Sequence, residues 1–429
     1  MVSIRGTCSI RAAPIPGYNA VQTAIDHAQL QRTEIGEADA ILRGCVHCGF
    51  CNATCPTYQI LGSELDGPRG RIYLIKEMLE GGRPSARTRV HLDRCLTCRA
   101  CETTCPSGVQ YGRLLGLGRQ EIERRTRRPL WERALRALLL AILPYPPRVR
   151  VALSAARWAR PLLPSRLLRK LPLSRAPCPR PALRHRRRML LLEGCVQPVV
   201  LPSTNAAAAR VLDRLGISLV SAGRAGCCGA LHEHLAHQDT ARELMRRNID
   251  AWWPQVEEGV EALVTTASAC GLMVKEYGRA LEGDAAYAAK AARISALARD
   301  LSEVLAGEAL EGFAHVGKGR RIAWHAACTL SHGQGVTGLV ERILGRCGYV
   351  LEPVADAHLC CGAAGTYSLL QPALSQRLLA RRLAALTAGT PEVIATGNIG
   401  CQLHLESASP IPVRHWIELL QDMPENDVS

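Results

Sequence analysis

The stretch that decides the fold is Cys45-Val46-His47-Cys48-Gly49-Phe50-Cys51-Asn52-Ala53-Thr54-Cys55-Pro56, in which four cysteines and a proline follow the spacing C-x2-C-x2-C-x3-C-P. The same spacing returns fifty residues later, in Cys95, Cys98, Cys101, Cys105 and Pro106. Short gaps of two residues let one tight loop present three thiolates to a single point, and the proline then turns the chain away. Two such runs predict two metal centres built from soft thiolate ligands.

This spacing is typical of cubane [4Fe–4S] clusters in two-cluster ferredoxins, where the fourth cysteine of each run ligates the other cluster. Zinc sites usually pair their cysteines as C-x2–4-C units, and disulfides rarely persist in a reducing cytosol, so neither alternative fits. The exchanged fourth ligands should lock the two runs together and leave the metal-free segment poorly folded. The predicted ligands are Cys45, Cys48, Cys51 and Cys105 for cluster 1, and Cys95, Cys98, Cys101 and Cys55 for cluster 2.

The residues between and after the two runs have helical patterns. Apolar residues at 72, 75, 78 and 79 predict a helix that begins near Pro68 and ends at Gly81-Gly82. A second helix is expected from Arg113 onward. Residues 1–118 are therefore predicted to form a helical ferredoxin-like module with two [4Fe–4S] clusters.

The positive charge of the chain is concentrated in one segment. The whole chain has a net charge of +15, yet residues 113–188 alone hold 21 basic and three acidic residues. Residues 119–188 are interpreted as a basic linker rich in Arg, Leu and Pro, and their apolar run 137–143 is far too short to span a membrane. The linker is expected to lie on an anionic membrane surface, or to act as a solvated spacer or a dock for an acidic partner. Few aromatic residues and no binding motif argue against nucleic acid.

The C-terminal half contains a second duplication, in which four cysteines recur at offsets of 133, 133, 133 and 131 residues. Strands are predicted over residues 189–192, 217–220 and 262–266, with a helix over 205–215 capped by Ser203, and the second copy repeats this order. Such alternation predicts two α/β Cys-Cys-Gly (CCG) domains with mostly parallel sheets, over residues 189–315 and 316–429. The whole chain is then an α+β multidomain protein. The cysteines are Cys195, Cys227, Cys228 and Cys270 in the first copy, and Cys328, Cys360, Cys361 and Cys401 in the second.

Because sites gather at the carboxyl ends of parallel strands, the four loop cysteines of each CCG domain should converge. A metal or redox role is favoured for them over that of buried structural thiols. Four histidines are potential neighbours but are interpreted as ordinary core or surface residues; they are His232, His234, His325 and His332. No role is assigned to Cys8, Cys178 and Cys347.

Residues 48–58, 65–72 and 91–113, which surround the two runs, resemble the iron–sulfur subunits of bacterial glycolate oxidases. The order of a double ferredoxin and two CCG domains extends the resemblance over nearly the whole chain. That order is shared with the small subunit of anaerobic glycerol-3-phosphate dehydrogenase and, rearranged, with heterodisulfide reductases. The reductase motif ends each CCG unit in C-x2-C, whereas this chain has Ala267 and Asn398 in place of the fifth cysteine. A simpler cluster, another metal or an unmetallated dithiol therefore remains open for these domains.

The resemblance implies a complex in which separate FAD-containing subunits oxidise glycolate to glyoxylate. This chain would be a non-catalytic subunit that passes electrons to a membrane acceptor such as quinone, from the cytoplasmic face of the inner membrane. No G-x-G-x-x-G motif opens a βαβ unit, so no flavin is expected in this chain, and neither a signal peptide nor a transmembrane helix is expected. Alternative functions are electron transfer for a D-lactate or anaerobic glycerol-3-phosphate dehydrogenase, and a cluster-based redox sensor.

Overall fold

The computed structural model describes residues 20–159, 161 and 179–421, which leaves Cys8 and Cys178 outside the described residues. The chain divides into two compact parts, Met1–Thr126 and Arg127–Ser429. In its described residues the N-terminal part consists of helices and turns. Its α-helices are His27–Leu30, Thr33–Arg43, Phe50–Ala53, Pro56–Leu61, Pro68–Leu79, Ala86–Asp93, Ala100–Thr103 and Tyr111–Arg125, with a 3-10 turn at Glu64–Asp66.

The three longest helices of the N-terminal part bury a common apolar core. Leu42, Ile75, Leu114 and Leu115 are fully buried there and belong to one hydrophobic cluster. The predicted helix after Pro68 is confirmed as Pro68–Leu79, with proline in its first turn where no backbone donor is needed. Tyr111–Arg125 is one continuous helix that runs past residue 118, the predicted end of the module.

The C-terminal part begins with two helices, Leu130–Ile142 and Pro146–Trp158, in the segment interpreted as a linker. Their most exposed apolar side chains are Leu130, Trp131, Leu138, Val151 and Trp158. Within the described ranges, every helix is too short or too polar to cross a bilayer.

Two four-stranded parallel sheets follow, and they confirm the predicted duplication. The first has the order β2-β1-β3-β4 and the second β6-β5-β7-β8, so each copy adds its strands in the same sequence. Sequence patterns predicted three strands per copy and missed β4 and β8, which are three residues long. The strands are β1 Arg187–Leu191, β2 Ile217–Ser221, β3 Leu263–Thr265, β4 Ala298–Asp300, β5 Arg321–His325, β6 Val350–Glu352, β7 Val393–Thr396 and β8 Val413–His415.

Helices connect these strands in both copies. The predicted cap at Ser203 is wrong, because the helix already begins at Pro202 and the Ser203 hydroxyl instead donates to Glu418 at 2.9 Å. The α-helices of the first copy are Gln197–Val200, Pro202–Arg214, Ala230–His234, Gln238–Glu257, Ser268–Lys275, Tyr277–Ala280, Ala288–Leu297 and Leu301–Leu305. The first copy also has a 3-10 turn at Glu311–Phe313. The α-helices of the second copy are Leu339–Arg346, Tyr367–Leu370, Pro372–Thr387 and Ile399–Glu406, with a π-helical turn at Thr329–Gly333 and a 3-10 turn at Trp416–Leu420.

The two copies share one apolar core and contact each other reciprocally. Trp416–Leu420, which follows the last strand of the second copy, packs on Pro202–Arg214 of the first. Leu301–Leu305, which follows the last strand of the first copy, packs on Leu339–Arg346 of the second. A single hydrophobic cluster contains residues of both copies, including Leu212, Leu305, Leu344 and Trp416.

Candidate metal centres

The N-terminal part brings the first three cysteines of the first run together with the last cysteine of the second run. Cys45, Cys48, Cys51 and Cys105 line one cavity, whose empty volume is about 430 Å³ including its open mouth. The pKa of Cys51 is raised to about 12, mainly by burial and then by the neighbouring thiols of Cys45, Cys105 and Cys48. Thiols placed so close together that they oppose the ionisation of Cys51 fit a cationic iron core, which would neutralise their charge.

A second cavity contains the remaining four cysteines of the two runs. Cys55, Cys95, Cys98 and Cys101 line it, and its empty volume is about 300 Å³. Burial raises the pKa of Cys101 well above its ordinary value, and Cys98, Cys95 and Cys55 add to the effect. The structure thus groups Cys55 with the second run and Cys105 with the first. Tyr111 and Cys101 line both cavities, so the two sites are direct neighbours.

The two cysteine loops have the same backbone conformation. Gly49 and Arg99, which follow the second cysteine of each run, have positive φ angles of 86° and 60°. His47 and Thr97, two residues after the first cysteine, also have positive φ, and their N–H groups donate to the sulfurs of Cys45 and Cys95 at 3.4 Å. Amide donors of this kind stabilise anionic sulfur and help to set the potential of a cluster.

The cysteines of the first CCG domain converge after the carboxyl ends of its strands, as predicted. A hydrogen bond with Cys195 is the largest of the effects that hold the pKa of Cys227 well below its ordinary value. Its neighbour Cys228 has a raised pKa, because Cys227 and then Cys270 hydrogen-bond to it. Two side chains hold the backbone of Cys227 and Cys228 in place. Asn248 donates to the carbonyl of Cys227 and Tyr277 donates to that of Cys228, both at 2.9 Å.

The second CCG domain repeats this arrangement and adds a histidine. The sulfurs of Cys328 and Cys360 are 3.9 Å apart. A ring nitrogen of His325 and the sulfurs of Cys361 and Cys401 all lie within 4.8 Å of one another, and all three residues are buried. Asn398, which replaces the fifth cysteine of the reductase motif, donates to the sulfur of Cys401 at 3.5 Å.

His325 is one of the four histidines named as potential neighbours of the site cysteines, and it is buried at the end of strand β5 beside two of them. Leu192 stands 133 positions earlier, at the equivalent point of the first copy. Arg382 donates to Nδ1 of His325 at 3.1 Å. Burial, followed by Arg382 and His404, lowers the pKa of His325 well below its usual range, so the ring is neutral. The two domains therefore differ at this point, where the second has a neutral histidine and the first a leucine.

The remaining predicted neighbours differ in position. His232 is close enough to Cys227 to help lower the pKa of that thiol. His332 contacts the carbonyl of His358 at 2.9 Å. Cys347 is fully buried in the core shared by both copies and belongs to neither cysteine group.

Comparison with known proteins finds a matching family for each of the two parts of the chain. The 4Fe-4S dicluster domain family matches residues 41–109, and the cysteine-rich domain family matches residues 189–275 and 322–406. The chain is thus an iron–sulfur protein with a two-cluster [4Fe–4S] domain and a pair of cysteine-rich domains. It is 53% identical over 408 residues to the glycolate oxidase iron-sulfur subunit of Escherichia coli (strain K12), covering 95% of this chain and 100% of that protein. The chain belongs to the family of glycolate oxidase iron-sulfur subunits.

More distant relatives are similar over different shares of the chain. "Probable glycolate oxidase iron-sulfur subunit" of Bacillus subtilis (strain 168) is 31% identical over 413 residues, which cover 88% of this chain and 90% of the relative. "Lactate utilization protein A" of Geobacillus kaustophilus (strain HTA426) is 25% identical over 240 residues, or 53% of this chain and 95% of the relative.

Proposed function

We propose that this chain is the non-catalytic electron-transfer subunit of a glycolate-oxidising complex. A FAD-containing partner would oxidise glycolate to glyoxylate, and this chain would pass the electrons singly to a membrane acceptor such as quinone. The main support is that the two cysteine-lined cavities share Tyr111 and Cys101 in their walls. Centres so close together suit conduction of electrons, since [4Fe–4S] clusters change oxidation state by one electron at a time. The name of the Escherichia coli relative supports glycolate as the substrate.

The proposed ligands follow the two cavities: Cys45, Cys48, Cys51 and Cys105 hold cluster 1, and Cys95, Cys98, Cys101 and Cys55 hold cluster 2. The proposed division of the chain is a cluster module over residues 1–118, a basic segment over 119–188, and CCG domains over 189–315 and 316–429. The cysteines that converge in each CCG domain are proposed as a further metal or redox site. Neighbouring thiols help to raise the pKa of Cys195 and of Cys361, as they do for Cys51 and Cys101 in the cluster cavities. They are Cys195, Cys227, Cys228, Cys270, Cys328, Cys360, Cys361 and Cys401.

The function is tested by interrupting the electron path without touching the flavoprotein. In the complete complex, Cys98→Ser should lower glycolate-dependent quinone reduction at least about 100-fold, because it removes a ligand of cluster 2. Reduction of a dye that accepts electrons directly from the flavin should change less than about twofold. Cys347→Ala, which alters a buried cysteine outside both cavities, is the control. Undiminished quinone reduction by Cys98→Ser would contradict the proposal, and D-lactate and glycerol 3-phosphate in the same assay would distinguish the alternative substrates.

We also propose that the helices Leu130–Ile142 and Pro146–Trp158 contact an anionic membrane surface peripherally, on the cytoplasmic face of the inner membrane. Trp131 is 69% exposed and Trp158 is 87% exposed, although large aromatic side chains normally find cover in a soluble protein. Tryptophan favours the interface of a bilayer, and arginines such as Arg133 and Arg150 add attraction to anionic lipid.

Loss of these two tryptophans should weaken membrane binding. The double variant Trp131→Ala, Trp158→Ala is expected to co-sediment with phosphatidylglycerol vesicles at least about tenfold more weakly than the unaltered protein, because both interfacial anchors are gone. Val350→Ala, an exposed apolar side chain on strand β6, is the matched control. Unchanged binding of the double variant would favour a spacer role for this segment, and equal binding to neutral phosphatidylcholine vesicles would contradict the proposed attraction to anionic lipid.

A further inference from the structure

The charges around the two cluster cavities differ, although the cysteine loops have the same conformation. Arg71 lines the cavity of cluster 2 and is 0% exposed. Arg69, two residues earlier on the same helix, lines the cavity of cluster 1. Its side chain is 38% exposed, and its Nε donates to Glu64 at 2.6 Å. The positive charge beside cluster 1 is therefore neutralised by a carboxylate and screened by water, whereas the charge beside cluster 2 is enclosed.

The contacts of Arg71 hold its guanidinium in place against the cysteines of cluster 2. Its Nε donates to the carbonyl of His91 at 2.7 Å, and its Nη2 donates to Thr57 Oγ1 at 3.2 Å. The Thr57 hydroxyl in turn lies 3.3 Å from the sulfur of Cys55. Nη1 is buried and has no hydrogen-bond partner within the part of the chain that the structure describes. Arg71, which lines the cavity of cluster 2, therefore retains an unused donor.

The carboxylate nearest to Arg71 does not cancel its charge. Asp66 Oδ1 is 3.8 Å from Nη2 of Arg71, but Asp66 also accepts from Arg94 at 3.0 Å and contacts His91 at 2.9 Å. Another buried guanidinium lies close to cluster 2, since Arg119 donates to the carbonyl of its proposed ligand Cys95 at 2.8 Å. Four arginines thus lie around cluster 2, opposed by the two carboxylates of Asp66 and Glu102; they are Arg71, Arg94, Arg99 and Arg119.

We propose that Arg71 raises the reduction potential of cluster 2 above that of cluster 1, so that electrons pass from cluster 1 to cluster 2. Reduction adds one electron to an anionic cluster, and a fixed cation in a site of low dielectric stabilises the reduced form. In each transfer cluster 1 loses the electron that cluster 2 gains, and no proton is needed. Three of the four cysteines of cluster 1 are only partly buried, and contact with water there acts to raise the potential of cluster 1. Water also screens the charges beside cluster 1, however, whereas the charge of the enclosed Arg71 is hardly screened. This inference rests on the proposed ligands and function.

The test is a redox titration of the full-length protein under anaerobic conditions, followed by paramagnetic resonance. Arg71→Met should shift the one-electron equilibrium of cluster 2 at least about tenfold toward oxidation, which corresponds to 59 mV for one electron. Cluster 1 should shift less than about threefold. Arg71→Lys, which keeps the charge, should recover most of the potential, and Arg69→Met should shift cluster 1 less than about threefold because water screens the side chains of both Arg69 and Glu64. The signals are assigned to the clusters with Cys48→Ser and Cys98→Ser.

Two results would overturn the inference: a higher potential for cluster 1 in the unaltered protein, or an Arg71→Met variant in which cluster 2 does not shift. Even if Arg71→Met fails to fold, the inference can still be contradicted, because it requires a higher reduction potential for cluster 2 than for cluster 1 in the unaltered protein. An unaltered protein with no reducible cluster signals would instead overturn the proposed function.

Discussion

Cys105→Ser is expected to remove cluster 1, although Cys105 belongs to the second cysteine run. The cavity of cluster 1 is lined by Cys105 together with the first three cysteines of the first run, so the loss of one thiolate there leaves an incomplete ligand set. Iron in the anaerobically purified protein should fall from about eight to about four atoms per chain, as two four-iron centres become one. Iron analysis combined with paramagnetic resonance after dithionite reduction measures the effect.

The reciprocal variant tests the same exchange of ligands. Cys55→Ser should remove cluster 2 and leave cluster 1, since Cys55 lines the cavity of the second run. Cys347→Ser should keep both clusters. If Cys105→Ser instead lost the cluster of its own run, the two fourth ligands would not be exchanged. Iron above about eight atoms in the unaltered protein would indicate that the CCG domains are loaded as well.

Gly70→Ala is expected to destabilise the cluster module by about 3 kcal/mol, at the upper end of the usual range for overpacking. A methyl group at residue 70 would lie 2.2 Å from the carbonyl oxygen of Glu64 and 2.9 Å from Cα of Leu65. Both are backbone atoms that cannot rotate away, so the helix Pro68–Leu79 would have to move off the turn Glu64–Asp66. Thermal unfolding under anaerobic conditions, with release of iron as a second readout, measures the loss.

The control for this variant lies on another helix of the same module. A methyl group at Gly116 would meet no atom within 4 Å. Gly116→Ala should therefore stabilise the helix Tyr111–Arg125 by about 0.5–1 kcal/mol through its better helix propensity. Equal melting temperatures for Gly70→Ala and the unaltered protein would show that the turn can shift without cost.

The part of the fold that depends on short-range spacing could be predicted from the sequence. The two cysteine runs, the helix after Pro68 and the repeated CCG domains each follow from residues close together in the chain or from an exact repeat. The convergence of the CCG cysteines followed from the general rule that sites lie at the carboxyl ends of parallel strands.

Features that depend on tertiary contacts could not be predicted. Strands β4 and β8 are only three residues long, and Arg299 or Arg414 interrupts their apolar pattern, so no periodicity marks them. Serine is a common helix cap, but the hydroxyl of Ser203 donates its hydrogen bond to Glu418, which is more than 200 positions away in the sequence. The place of His325 beside Cys361 and Cys401 depends on how strand β5 packs against distant loops. A histidine at the end of a strand that leads to a site cysteine is the one local signal that could have suggested it.

The reciprocal packing of the two CCG domains bears on the ancestry of the protein. The element after the last strand of each copy contacts the first long helix of the other copy, so residues at equivalent places are exchanged across the contact. A surface that is complementary to itself in this way is the hallmark of a twofold homodimer. A single ancestral domain with this surface would have paired with an identical chain, and fusion of two such genes would have let the two sites diverge, so that Leu192 stands in one where His325 stands in the other.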